Sequence, residues 1–399
     1  MEKPTLSERV NTLAESQTIG MSKLSRELSA QGIDVINLSL GEPDFITPKH
    51  ICEAAKKAID DGYTHYPPIA GYAEVRKAIS QKFLRENNLH FEPSQVIVST
   101  GAKQSIANVV LSLIDPGDEV IIPMPYWVSY IEIVKLAEGV TVSIPTTIKD
   151  DFKMSPAQLE KAITPKTKML IFSSPCNPTG TVYTRDELKA FADILAKHPR
   201  IVVLSDEIYE HINFLDKHES IAQFENIRDR VVIVNGVSKG YAMTGWRIGY
   251  IGAPKYIAEA CDKMQGQFTS AASSIAQKAA EAALSTDIGP TLEMQKAFRR
   301  RRDLVLNLMK DIPGWIINEP KGAFYVFPDV SSYFGKSDGE TKINNATDLC
   351  MYLLHKGHVS LVTGEAFGDP NCVRFSYATS DEKLVEAIRR IREALSKLK

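Results

Sequence analysis

Short apolar runs rich in β-branched residues recur through the middle of the chain. They are QVIVST (95–100), EVIIPM (119–124), KMLIFSS (168–174), IVVLSD (201–206) and VVIVNG (231–236), with RIGYIGA (247–253) adding a sixth. Between them, apolar positions repeat at helical spacing over 51–61, 72–86, 103–113, 185–197 and 255–265, and over a longer stretch at 290–311. Continuous apolar strands separated by helices predict an α/β fold around a mostly parallel sheet covered on both faces. After Pro313-Gly314 the pattern changes. GAFYVFPDV (322–330), HVSLVTG (358–364) and NCVRFSYA (371–378) read as strands, and 345–357 and 381–398 as helices, which predicts a smaller α+β unit. The polar stretch GKSDGETKINN (335–345) reads as a mobile loop. Arg299 to Arg302 point around a whole helical turn, so they cannot all face one ligand, and they read as a solvated helix surface.

Parallel strands present their carboxyl ends along one edge, where open α/β sheets bind ligands. Five of the runs end on residues with chemistry to offer: Gly101-Ala102-Lys103-Gln104, Pro125-Tyr126-Trp127, the stretch PCNPTG (175–180), Asp206-Glu207-Ile208-Tyr209, and Ser238-Lys239. Lys239 puts an amine at such an end, with Arg247 eight positions on and Ser238 and Thr244 nearby. A lysine able to form an imine, with an arginine and a hydroxyl for a phosphate, is what pyridoxal 5′-phosphate requires. Asp206 closes a buried strand, where a carboxylate is costly unless paired, and a protonated pyridine nitrogen would pair it. Taken singly it reads equally as a helix cap. Tyr209 and Asn177 offer bonds to a ring oxygen, and each alone is as easily packing or a turn. The X–Pro bonds at Pro175 and Pro178 are open to either isomer.

Gly101-Ala102 opens a helix whose backbone N–H groups suit an anion, but the GxxxxGK[ST] spacing of a nucleoside triphosphate loop is missing. Lys103 is then free for a substrate carboxylate, or is an exposed first-turn lysine. Trp127 is placed to lie on a conjugated ring or to fill a core. Arg374, between apolar neighbours on a strand, suits bidentate capture of a carboxylate or a buried ion pair. No metal-binding spacing of histidines and no GxSxG elbow is present.

The 399 residues allow two domains, and 47 basic against 49 acidic residues leave a net charge of −2, which argues against nucleic acid or a membrane surface as partner. No apolar run approaches the ~20 residues of a membrane span, and the N-terminus lacks a signal-peptide core. Five dispersed cysteines read as reduced thiols in a cytoplasmic protein. Cys176, beside Asn177, reads as small filler.

Jointly, LGEPDF (40–45), YPPIAGYAEVR (66–76), STGAKQ (99–104), PYWVSY (125–130), SSPCNPTG (173–180), SDEIYE (205–210), VSKGYAMTGWRIGY (237–250) and VRFSYATS (373–380) are highly specific. Over nearly its whole length the chain resembles the class I aminotransferases of fold type I. It is most similar to the bacterial subgroup of aspartate and prephenate aminotransferases. Cys176 departs from that pattern, since relatives often carry Asn there.

The resemblance implies a seven-stranded, mostly parallel sheet between helices. It divides the chain into an N-terminal arm and part of a small domain (1–48), a large cofactor-binding domain (49–287) and a small C-terminal domain (288–399). It implies Lys239 as the imine-forming lysine and Asp206 at the pyridine nitrogen. Tyr209 and Asn177 would take the 3′ oxygen and Trp127 the ring face. Ser238, Arg247 and the backbone at Gly101-Ala102 would hold the phosphate, reached by Tyr66 from the other subunit of a homodimer. Arg374 would take the substrate α-carboxylate, with Gly41 at the cleft, and Lys103 with Ser16 or Thr18 the distal one. The expected reaction is ping-pong transamination of aspartate with 2-oxoglutarate. Prephenate or broad acidic and aromatic transamination is the nearest alternative, ahead of β-elimination or a non-catalytic cofactor-binding regulator.

Overall fold

The computed structural model describes residues 5–286 and 288–399, so the domain limits expected at residues 1 and 287 lie outside the described residues. Seven strands form the main sheet: β1 (Val96–Ser99), β2 (Glu119–Pro123), β3 (Val140–Ile144), β4 (Thr167–Ser173), β5 (Val202–Asp206), β6 (Val231–Gly236) and β7 (Gly249–Gly252). Their order across the sheet is β3-β2-β4-β5-β6-β7-β1. All are parallel except β7, which pairs antiparallel with both β6 and β1. The link from Gly236 to Gly249 holds only a 3-10 turn at Thr244–Trp246, with no crossover helix, so the chain returns antiparallel.

The unbroken apolar runs follow from burial on both faces. Val98, Leu170, Phe172, Val203 and Ile233 pack into one core with helices Lys49–Asp60, Ala73–Asn87, Arg185–Leu195 and Ser274–Ser285. Their neighbours Ile97, Met169, Ile171, Leu204 and Val232 pack into another, with helices Ala102–Leu113, Ser129–Leu136 and Lys255–Phe268. Side chains alternate across a strand, so every position needs an apolar residue. Strand β3 was not read from the sequence. It is an edge strand that leaves Val140 and Ser143 exposed, which breaks the apolar run.

A third core joins the N-terminal and C-terminal parts. Strand Ile36–Asn37 pairs parallel with Val359–Ser360, and Val373–Ser376 runs antiparallel between Val362–Thr363 and Tyr325–Val326. Met21, Leu38 and Phe298 pack there with helices Ala346–Gly357 and Asp381–Leu395, and Ile208 and Tyr209 reach into the same core from the end of β5.

One sequence expectation changes. The arginine run is not a uniformly solvated surface. Arg299 and Arg300 are exposed, but Arg301 and Arg302 are buried: Arg301 forks onto Asp44 (2.7 and 2.8 Å), and Arg302 donates to the Pro320 carbonyl. Loop 335–345 is closed by a bridge between Ser337 and Lys342 and by Asp338, which accepts the N–H groups of Glu340 and Thr341. Among the described residues no helix is long and apolar enough to cross a membrane.

Candidate active site

The ends of β1, β4, β5 and β6 open onto one cavity of about 260 Å³, roofed by the N-terminal arm and by Tyr325 and Arg374 of the third core. Lys239, Asp206, Tyr209, Asn177, Ser238, Arg247, Trp127, Ala102, Lys103, Gly41, Arg374, Ser16 and Thr18 all line it. Gly101 lies directly behind, against Arg247. Tyr66 is 97% exposed and does not line the cavity of its own chain.

The Lys239 amine donates to the Gly41 carbonyl at 2.5 Å. Burial lowers its pKa to about 8, reinforced by Arg374 and Arg247 and opposed by Glu42 and Asp206. A lysine in this state is a usable nucleophile and base near neutral pH. Asp206 is pushed the other way, up to about 6, by burial, although the Tyr130 hydroxyl (2.6 Å) and the Ile208 N–H (3.2 Å) both bond its ionised form. Keeping that carboxylate ionised costs on the order of 3 kcal/mol, a cost that a cation in the cavity would offset.

Arg374 is 2% exposed. Its Nη1 donates to Asn177 Oδ1 (3.0 Å) and its Nη2 to the Ser39 carbonyl (2.6 Å), while Nε has no partner among the described residues. Its guanidinium lies 4.6 Å from the Tyr325 ring centre. Among the described residues no carboxylate pairs with it, so the buried-ion-pair reading has no support. A buried cation that no carboxylate pairs suits an anionic ligand.

The other wall sets a second arginine against a helix N-terminus. Gly101 caps helix Ala102–Leu113 at φ 83°, and a Cβ there would come 2.4 Å from Arg247 Nη2. A Cβ on Gly249 would meet the Ala102 nitrogen at 2.1 Å. Two glycines therefore let a helix N-terminus and a guanidinium face the same space. Lys103 lies 5.1 Å over the Trp127 ring, and burial and then Arg247 hold its pKa below the ordinary lysine value. The bonds before Pro125, Pro175 and Pro178 are all cis. Cys176 turns away from the cavity, its sulfur 3.8 Å from the Pro125 carbonyl.

A lysine, a carboxylate, a buried arginine and a second arginine beside a helix N-terminus in one cavity agree with what the family comparison finds: the family described as aminotransferase class I and II matches residues 33–391. The chain belongs to this aminotransferase family. It is 50% identical over 400 residues to a bifunctional aspartate aminotransferase and glutamate/aspartate-prephenate aminotransferase of Petunia hybrida, covering 99% of this chain and 84% of the relative. An aspartate/prephenate aminotransferase of Nitrosomonas europaea is 46% identical, over 98% and 100% of the two chains. Among solved structures, the aspartate aminotransferase of Rhizobium meliloti superposes with a TM-score of 0.96 at 40% identity over the whole of both chains. That of Thermus thermophilus with maleate gives 0.93 at 39%, covering 98% of this chain and all of that one.

Tyr130 and Tyr325, which line this aminotransferase cavity, and Ser39 behind it were not singled out from the sequence. Tyr130, buried on helix Ser129–Leu136, bonds Asp206 and meets Trp127 edge-on at 5.4 Å. Tyr325 bonds Tyr209 hydroxyl to hydroxyl at 2.8 Å. Ser39 supplies a carbonyl to Arg374. Tyr130 follows Trp127 by three positions, one helical turn, which was a usable signal once Trp127 was chosen. Tyr325 and Ser39 carried none, because their sequence neighbours are plain core residues.

Proposed function

We propose that this chain is a pyridoxal-phosphate-dependent aspartate aminotransferase, exchanging amino groups between aspartate and 2-oxoglutarate by a ping-pong route. The observation that carries the reading is one cavity holding both an amine lowered to about 8 and a buried guanidinium that no carboxylate among the described residues pairs. The cofactor fits the residues present. Among the described residues no cation forms an ion pair with the buried Asp206 carboxylate, and Gly101 and Gly249 allow the close approach that sets Arg247 beside the helix N-terminus, where a phosphate would be held.

Pyridoxal phosphate, when bound, supplies an aldehyde that condenses with an amine and a pyridinium ring that takes up electrons from the substrate Cα. Lys239 would anchor it, and its amine would serve as the base that moves the proton at the substrate Cα. Asp206, itself held by Tyr130, keeps the ring nitrogen protonated. Tyr209 and Asn177 would hold the 3′ oxygen, and Trp127 would pack on the ring face. Ser238, Arg247 and the backbone of Gly101 and Ala102 bind the phosphate. Tyr66 of the second copy in a homodimer completes that site, which accounts for a tyrosine left almost wholly exposed on one chain. Arg374 takes the α-carboxylate next to Gly41. Lys103, with Ser16 and Thr18 from the arm, takes the distal carboxylate. The protein then acts on small amino and oxo acids in the cytoplasm.

A second reading, prephenate transamination, is favoured by the Petunia and Nitrosomonas relatives, both of which are named for it. The Thermus enzyme was solved with maleate, a four-carbon dicarboxylate as aspartate is. A half-reaction screen tests the proposal: amino acids are added to the holoenzyme and loss of its visible band is followed. Aspartate and glutamate should discharge the band. Failure of every dicarboxylic amino acid to do so overturns the reading, and the same screen run backwards with prephenate decides the second one.

A further inference from the structure

The segment Asp206–Glu210 reads Asp-Glu-Ile-Tyr-Glu and leaves the end of β5 with its polar residues divided between two directions. Asp206 and Tyr209 line the cavity, whereas Glu207 and Glu210 do not. Both glutamates are nonetheless buried, at 1% and 6% exposure. Buried carboxylates persist only when paired and hydrogen-bonded. Glu207 accepts from Ser205 (3.0 Å), Ser220 (2.6 Å) and His218 (2.9 Å), all on its own side of β5. Glu210 reaches further. Its Oε1 accepts from Lys82 Nζ and from Asn235 Nδ2 (2.7 Å), and its Oε2 accepts from Asn87 Nδ2 (2.7 Å). Lys82 is wholly buried and also donates to Asn87 Oδ1 (2.9 Å).

Asn235 lies on β6, four residues before Lys239. The backbone ladder between β5 and β6 stops at the pairing of Asp206 with Val234 and the bond from the Glu207 N–H to the Val234 carbonyl (2.9 Å). Beyond that point the chain turns, with Glu210 N–H bonded to the Glu207 carbonyl and Ile212 N–H to the Tyr209 carbonyl. Among the described residues, the Glu210–Asn235 contact is the side-chain hydrogen bond that ties this turn to β6. We infer that Glu210 and Asn235 are positioning residues: their bond sets the strand end presenting Asp206 and Tyr209 against the strand that leads to Lys239. The inference rests on the proposed function for what those three residues hold. A misplacement of about 1 Å at reacting groups costs on the order of 10²-fold in rate. A buried ion pair is by itself weak evidence of a stability role, because apolar replacements are often neutral.

Two variants separate the tie from the charge. Asn235→Ala removes the bond to β6 and leaves Lys82 paired with Glu210. Lys82→Met combined with Glu210→Gln removes both charges and keeps an amide oxygen to accept from Asn235. Each is followed by thermal melting, by the pH titration of the holoenzyme's visible band, by the rate of cofactor release and by kcat and KM. Asn235→Ala should fold, shift the titration midpoint by about 0.5 in pH, release cofactor faster and lower kcat on the order of tenfold, with little change in KM for aspartate. The double variant should keep the parent midpoint, release rate and kcat. Parent-like behaviour of folded Asn235→Ala overturns the inference, as does a double variant impaired equally. Loss of fold in Asn235→Ala with fold kept in the double variant makes Asn235 a stability residue and overturns it as well. A parent enzyme with no visible band fails the proposed function instead, so the two failures are distinguishable.

Discussion

Lys239 shows how far burial moves a single group. Its amine is lowered to about 8 from an ordinary 10.5, chiefly by desolvation. In apoprotein, the rate at which an amine reagent labels Lys239 should therefore rise with a midpoint near 8, as measured by mass spectrometry across pH. Midpoints near 10.5 would remove the argument for its reactivity. The sign for stability follows. Between about 8 and 10.5 the unfolded chain binds the extra proton, so the contribution of Lys239 to folding becomes more favourable as pH rises through that window. Arg374 and Lys103 differ in burial, and their variants should differ too. Arg374→Ala should lower kcat/KM for aspartate by roughly 10²-fold or more, since it removes a fully buried guanidinium from a carboxylate. Lys103→Ala should lower it by about tenfold for aspartate while sparing a neutral amino acid. Equal losses for both substrates would take the distal carboxylate away from Lys103. Lys239, Asp206, Asn177 and Arg374 were legible as residues because each is a polar group at the end or within an apolar run. Tyr130 and Tyr325 were not, since an aromatic among apolar neighbours carries no sign of the hydrogen bond it will make.

At the scale of elements, runs buried on both faces were the readable ones, because a strand with two apolar faces leaves no polar alternation to confuse with a loop. β3 was unreadable for the opposite reason, being an edge strand with exposed positions. Helix Ser274–Ser285 was missed because alanines dominate its buried face and make a weak apolar stripe. The long helix Gly289–Met309 carries an interaction that charge counting could not assign. Arg301 forks onto Asp44 and lies 5.2 Å from the Phe45 ring, pinning the segment whose Gly41 carbonyl faces Lys239. Arg301→Ala should cost about 1–3 kcal/mol of stability, seen as a lower Tm, and Arg301→Lys should restore less than half because an ammonium cannot make both bonds. An unchanged Tm in Arg301→Ala would show that the fork does not hold the segment.

The whole molecule brings its N-terminal and C-terminal parts into one core that closes over the sheet edge, so the cavity draws on residues from Ser16 to Arg374. Tyr66 lies outside that cavity and is 97% exposed, which fits a second copy completing the phosphate site. Sedimentation equilibrium should then give the mass of two chains. Mixing Lys239→Ala chains with Tyr66→Ala chains should restore tight cofactor retention at one site in each mixed dimer, the site that combines both unaltered residues. No restoration would confine Tyr66 to its own chain. By itself the sequence determined the α/β class, the parallel edge and most groups placed on it, because hydrophobic periodicity is local and chemistry at strand ends needs no long-range knowledge. Only the tertiary structure decided that Arg374 has no acid partner among the described residues, that Tyr130 holds Asp206, that Arg301 is an internal brace and that Glu210 bonds Asn235. Each of those depends on which distant residue fills the space opposite, and on how much water the packing excludes.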